Sequence, residues 1–144
     1  MQDSIINNWV LKENIGEFRV TDFNLKQKLA ELHIPIKEME TFVDWGVVEP
    51  KYNFFYDYDN NEDEISNFLE KSLINNYEKI YLDIGCKEPL IEINTDTFIN
   101  NWEDFVASNG YSGIFAFTDD GRCFMEFTDD SEYQLYSNFR IKDN

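Results

Sequence analysis

A chain of 144 residues has room for one hydrophobic core, and 13 Phe, 8 Tyr and 3 Trp within a 42% hydrophobic composition supply the apolar surface to build it. Against 12 Lys and Arg stand 29 Asp and Glu, a formal net charge of −17; a field of that sign excludes binding to bare nucleic acid or anionic lipid through a basic patch. The opening Met1-Gln2-Asp3-Ser4 puts no basic stretch ahead of an apolar one, and no run approaches 18 apolar residues, so neither a signal peptide nor a membrane span is expected. Cys86 and Cys123 are the only cysteines, and a chain of this size can build a core without a staple, so a reducing cytoplasm is the expected home.

In chain order, a short half-alternating run over 18–23 is followed by Asn24, a candidate N-cap for a helix with Leu25, Leu29 and Leu32 on one face, closed by Pro35. Residues 36–50 fit no single period; Met39, Phe42 and Val43 have helical spacing until Trp45-Gly46 breaks it. Tyr52, Phe54, Phe55, Tyr56 and Tyr58 predict a strand over 51–58. Ile65, Phe68, Leu69 and Leu73 then predict a helix, with Glu62, Asp63 and Glu64 in a first turn whose dipole favours them. Ile80, Leu82 and Ile84 alternate as a strand up to Gly85, and 90–93 reads as another short one.

A third helix is expected to bury Phe98, Trp102, Phe105 and Val106, capped by Thr95 or Asp96 and stopped by Gly110. The last 35 residues read as runs over 113–118, 122–128 and 132–141, the first two joined by Asp119-Asp120-Gly121. Connections that short permit only antiparallel neighbours. The expectation is a single α+β domain over 1–144, with helices packed on a mainly antiparallel sheet and a C-terminal β-meander; no repeat or linker divides it.

The chemistry-bearing motifs mostly fail. His33 is the sole histidine and sits at a helix end, where capping or surface packing explains it better than catalysis. It joins two isolated cysteines as only three zinc-ligand candidates, with no Cys-x-x-Cys pair. Asp57, Asp59 and Asn61 match the first ligand positions of a calcium loop, but Glu62 stands where the turn needs Gly and Phe68 where a bidentate Glu belongs. Phosphate-cradling glycine motifs are absent, and 29 acids mark no two as a hydrolytic pair. No metal or cofactor is expected; a carboxylate-dependent hydrolase is the remaining enzymatic reading, and a non-enzyme is preferred.

What is left is acid beside aromatic. Asp57, Tyr58, Asp59, Glu62 and Asp63 follow the aromatic strand, while Asp119, Asp129, Asp130, Glu132, Tyr133 and Tyr136 surround the C-terminal hairpin. These are the candidate partner-binding residues, since aromatic anchors in an acidic surround suit a basic protein. The competing reading makes the aromatics core and the acids solvated turns.

The segment Arg122-Cys123-Phe124-Met125-Glu126-Phe127-Thr128-Asp129-Asp130, with Tyr136-Ser137-Asn138-Phe139, resembles small acidic immunity proteins of bacterial contact-dependent inhibition and other polymorphic toxin systems. The likeness covers roughly the last third of the chain. It implies a cytoplasmic protein that binds one cognate toxin domain in a 1:1 complex, often a nuclease, here with an RNase favoured. Such a protein blocks the toxin's active site or its substrate approach. A nuclease must attract phosphate, so an acidic inhibitor is matched to its basic face. The alternative is an acidic nucleic-acid mimic directed at a DNA-binding or RNA-guided protein. Neither reading involves direct contact with nucleic acid or membrane.

Overall fold

In a computed structural model, which describes residues 8–36, 43–55, 62–85, 89–108, 113–128 and 134–141, the strands are β1 (Phe18–Val20), β2 (Tyr52–Phe55), β3 (Lys79–Asp83), β4 (Ile91–Asn94), β5 (Ile114–Phe117), β6 (Phe124–Thr128) and β7 (Gln134–Ser137). They form one seven-stranded sheet in the order β1-β4-β3-β5-β6-β7-β2 with every pairing antiparallel. The expected α+β architecture and the β5-β6-β7 meander are both present. Phe117 pairs with Phe124 across the Asp119-Asp120-Gly121 turn, and Thr128 pairs with Gln134. The two edges, β1 and β2, are recruited from the first half of the chain.

Strand alternation divides the sheet's side chains between two apolar clusters. Ile80, Leu82, Ile91, Ile93, Ile114, Ala116, Met125, Phe127 and Leu135 point to one face. There they meet α1 (Trp9–Glu13), α3 (Glu62–Glu70), the 3₁₀ helix Leu73–Asn76 and α4 (Thr95–Ser108) through Val10, Leu11, Ile65, Leu69, Ile74, Phe98, Trp102 and Phe105. Tyr81, Phe115, Phe117 and Phe124 point the other way, to Leu29 of α2 (Leu25–Glu31), Ile34, Val43 and Trp45 of a second 3₁₀ helix, Trp45–Val47. Because both faces are covered, β5 and β6 are buried at every residue, and the half-buried alternation of an open sheet disappears. Among the described residues, no helix is long and apolar enough to cross a membrane.

Local chemistry explains most helix ends. Asn8 accepts from the amides of Val10 and Leu11 at 2.9 and 3.1 Å, and Asn24 caps α2 through Gln27 at 2.9 Å. The α2 terminus lies before Pro35, because His33 turns the chain with φ 62°. Its amide donates to Ala30 and that of Ile34 to Leu29, the paired bonds of a Schellman stop, with Ile34 and Leu29 buried together. Thus the sole histidine serves as a helix stop.

Three expectations need correction. Leu73 is not part of α3's apolar stripe; the helix ends at Glu70, and Leu73 is 55% exposed while Ile74 takes the buried place. Neither Thr95 nor Asp96 caps α4, which already includes both. Glu17 instead reaches that end from across the fold, accepting from Asn94 Nδ2 at 2.9 Å and Thr97 Oγ1 at 3.0 Å. The last run stops as a strand at Ser137 because the Asn138 side chain bonds Phe124 N and Arg122 O instead. Of the strand expected over 51–58, 52–55 is formed and 56–58 lies outside the described residues, as do Met39, Phe42, Cys86 and Gly110.

Candidate functional site

The registers sort the chain's turns between two ends of the sheet. The β5–β6 turn shares one end with the start of β3 and the finish of β4, where Lys79 pairs with Asn94. At the opposite end Phe55, Gln134 and Thr128 lie side by side. Five residues of β6 separate the ends, about 15 Å at strand rise.

At the first end, four adjoining clefts wrap around residues 73–79. The largest, about 400 Å³, is lined by Asn75, Tyr77, Glu78, Asn94, Thr95 and Asp96. On one side it shares Asn75 and Asp96 with a cleft that reaches Glu70 and Asn100. On the other it shares Tyr77 and Glu78 with one that runs past Lys79 and Tyr81 to Glu92 and Asp119. Tyr77 also borders a smaller cleft against Leu73, Arg122 and Cys123. Glu70, Glu78, Glu92, Asp96 and Asp119 therefore line one groove, with Lys79 and Arg122 as its basic members.

Arg19 neutralises Glu92 with a 2.7 Å contact, but among the described residues nothing pairs with the carboxylates of Glu70, Glu78, Asp96 or Asp119. Four unpaired negative charges along one groove attract cations and repel phosphate. Burial raises the pKa of Tyr77, helped by its hydrogen bond to Asp120 and that group's charge. Burial likewise raises Tyr81, with Glu92 and Asp119 adding to it and Arg19 opposing.

The turn that carries Asp119 is held by its neighbour. Asp120 accepts from Thr118 Oγ1 at 2.8 Å, Arg122 N at 3.0 Å and Tyr77 OH at 2.8 Å. Burial pushes its carboxyl up, but these bonds and Arg122's charge outweigh that and leave the pKa below the ordinary value. Gly121 follows with φ 74°, and a Cβ there would lie 2.9 Å from Leu32 Cβ, so the turn is pressed against the end of α2. Cys123 beside it is 2% exposed, its thiol pushed up to about 11 chiefly by burial, which makes it inert.

Of the residues expected to bind a partner, the two whose side chains are described, Asp119 and Tyr136, lie apart. Asp119 is exposed in the groove. Tyr136 is half-buried in mid-strand and stacks on Trp45 at 5.4 Å and 18°, as part of the second apolar cluster. The backbone of Glu62 and Asp63 opens α3, the expected first turn. Asp57, Tyr58, Asp59, Asp129, Asp130, Glu132 and Tyr133 lie outside the described residues. Their chain stretches attach at Phe55, Thr128 and Gln134, at the far end of the sheet from Asp119. Phe55 is 62% exposed there.

Glu70, Asn75, Tyr77, Glu78, Glu92 and Asp96 were not legible as a set. They come from the end of α3, the 3₁₀ helix Leu73–Asn76 and the two residues after it, the middle of β4 and the start of α4, and the pairing of β3 with β4 brings them together. No protein-family model matches the chain, and no curated protein matches it.

Proposed function

We propose that this chain is a small acidic inhibitor of the immunity-protein kind, acting in the cytoplasm, which binds one cognate toxin domain and neutralises it. The toxin's active-site face would be basic, as in a nuclease, with an RNase favoured. The observation that carries this reading is the groove around residues 73–79, whose unpaired carboxylates belong to a chain of net charge −17. A surface of that kind attracts the same basic face that a nuclease uses for its phosphate backbone, so substrate and inhibitor compete. The protein works by occupation, without catalysis, cofactor or metal, and without touching nucleic acid or membrane itself.

Charge opposition sets the encounter rate, and aromatic contacts hold the complex. The remaining expected contacts are Asp57, Tyr58, Asp59, Glu62, Asp63, Asp129, Asp130, Glu132 and Tyr133, in stretches that follow Phe55 and Thr128 along the chain; Asp119 belongs to the groove. The test is to mix the protein with the toxin domain encoded beside it and assay RNA and DNA cleavage. Cleavage should stop near one equivalent and return as salt shortens the Debye length from about 10 Å at 0.1 M to 3 Å at 1 M. Undiminished cleavage at excess inhibitor and low salt overturns the reading.

A further inference from the structure

Among the described residues the sheet ends in two edge strands, β1 and β2, and hydrogen-bond parity says which backbone groups each presents. At β1, Glu17 O accepts from Asn94 N at 2.9 Å and Thr21 N donates to Leu90 O at 3.0 Å. In that register Glu17, Arg19 and Thr21 turn their backbone groups to β4. Phe18 and Val20 turn theirs outward, and there the N–H and C=O groups bond nothing among the described residues. A donor and an acceptor thus recur at every second residue, about 6.8 Å apart, which is the spacing an extended chain matches.

Proteins guard such edges with outward charges, proline or a bulge. β1 is short but has none of these other guards: its register runs unbroken from Phe18 to Val20, and its one charged side chain, Arg19, lies back across the sheet on Glu92 at 2.7 Å. Phe18 and Val20 are half-buried and pack against the main cluster, so its apolar surface continues to the edge and is left partly uncovered there. Ile15 before the strand and Phe23 after it are 75% and 41% exposed. The charge beside the strand is negative. Glu17 and Asp22 are exposed, Glu17 bonds only the neutral Asn94 and Thr97, and Arg19 is cancelled by Glu92. The same parity turns Asn53 and Phe55 outward on β2, but the exposed Glu49 and Lys51 beside that strand balance each other.

We propose that the outer edge of β1 is the docking site for an extended segment of the basic partner, apolar on the face it shares with Phe18 and Val20 and carrying Lys or Arg. The inference rests on the reading of the chain as a binder of such a protein, and names the element that receives it. The probe is a capped peptide of alternating Val and Lys, added to the isolated full-length protein and followed by amide hydrogen exchange at constant ionic strength. Its comparisons are the Val/Glu peptide, which reverses the charge, and the Val/Lys peptide N-methylated at every amide, which keeps the charge and lacks the donors.

In the protein alone, the amides of Phe18 and Val20 should exchange faster than those of Arg19 and Thr21. The Val/Lys peptide should slow Phe18 and Val20 several-fold and saturably, and neither comparison peptide should. Val20→Pro removes an outward N–H that the ladder does not use, so it should leave the other strands protected while abolishing the effect at Phe18. Equal slowing by all three peptides, no slowing, or slowing at Asn53 and Phe55 instead overturns the proposal. Where Val20→Pro fails to fold, the methylated peptide decides. Toxin inhibition undiminished in folded Val20→Pro refutes the edge alone, and peptide docking without toxin inhibition refutes the immunity reading alone.

Discussion

The two faces of the sheet solve the same burial problem with different materials. The first, beneath α1, α3 and α4, is a continuous apolar cluster in which Trp102 stacks on Phe127 at 5.2 Å and 9°. The second is smaller, dominated by rings, and contains a carboxyl group: Glu126, 6% exposed on β6, accepts from Val43 N at 3.1 Å and Trp45 Nε1 at 3.0 Å. A face covered by long helices needs only apolar complementarity, because helices satisfy their own backbone. A face covered by an irregular segment needs an acceptor on the sheet for the N–H groups that segment leaves over.

The comparison predicts that truncation in the first cluster costs most. Trp102→Ala should lower the unfolding free energy by about 3–5 kcal/mol, read from urea denaturation. Glu126→Ala should cost less, about 2–4 kcal/mol, because it orphans two buried donors rather than emptying a cavity. Its effect should also be local: hydrogen exchange at the Val43 amide should accelerate more than at Phe127. Glu126→Gln retains an acceptor and should recover part of the loss. Were the Gln variant as unstable as the Ala variant, charge rather than acceptor geometry would distinguish the second face.

Where the second face meets the groove, Gly121→Ala places a methyl against Leu32 at a positive φ. The expected cost is about 1–3 kcal/mol, measured as a shift in urea midpoint; a neutral result would mean that α2 can move away from the turn.

Smaller effects follow from two carboxyls. Asp120 is held below the ordinary carboxylate value, so the stability it contributes is complete above the unfolded value of about 3.9 and is lost as the pH falls through its lower folded value. The midpoint difference between wild type and Asp120→Asn should therefore be present at pH 7 and vanish on acidification. Asp83 is the reverse case. Burial at the end of β3 raises its pKa despite the bond from Gly85 N at 3.1 Å, so its ionised form opposes folding above about pH 3.9. Asp83→Asn should stabilise the protein slightly at pH 7, with the gain fading in acid.

Much of the fold was legible locally. Asn24 announces α2, the Phe98, Trp102, Phe105, Val106 pattern announces α4, and the Asp-Gly turn announces the β5–β6 hairpin, since each depends on residues a few positions apart. Leu73 misled because it continues the helical period past Glu70; periodicity cannot distinguish one more helical turn from a tightening into 3₁₀. The α4 start misled because its side-chain partner is distant: Glu17, which accepts from Thr97 Oγ1 there, is 80 residues away. Asp119 was legible as an exposed turn acid, whereas Tyr136, chosen by the same proximity to acids, is tied into the stack on Trp45.

The sequence by itself determined the class of the fold, most of its elements and the sign of its field, because propensity, hydrophobic period and net charge are sums over neighbouring or all residues. The tertiary structure alone decided which acids share a surface. Strand order placed Glu78 and Asp96 beside Asp119 and set the attachment points of the two acid-rich stretches at the other end of β6. It also decided which carboxylate is buried, since Glu126 faces inward only because its strand parity aims it at Val43 and Trp45. Pairing register is a long-range property, fixed by the burial of both faces at once, and no local stretch of the chain contains it.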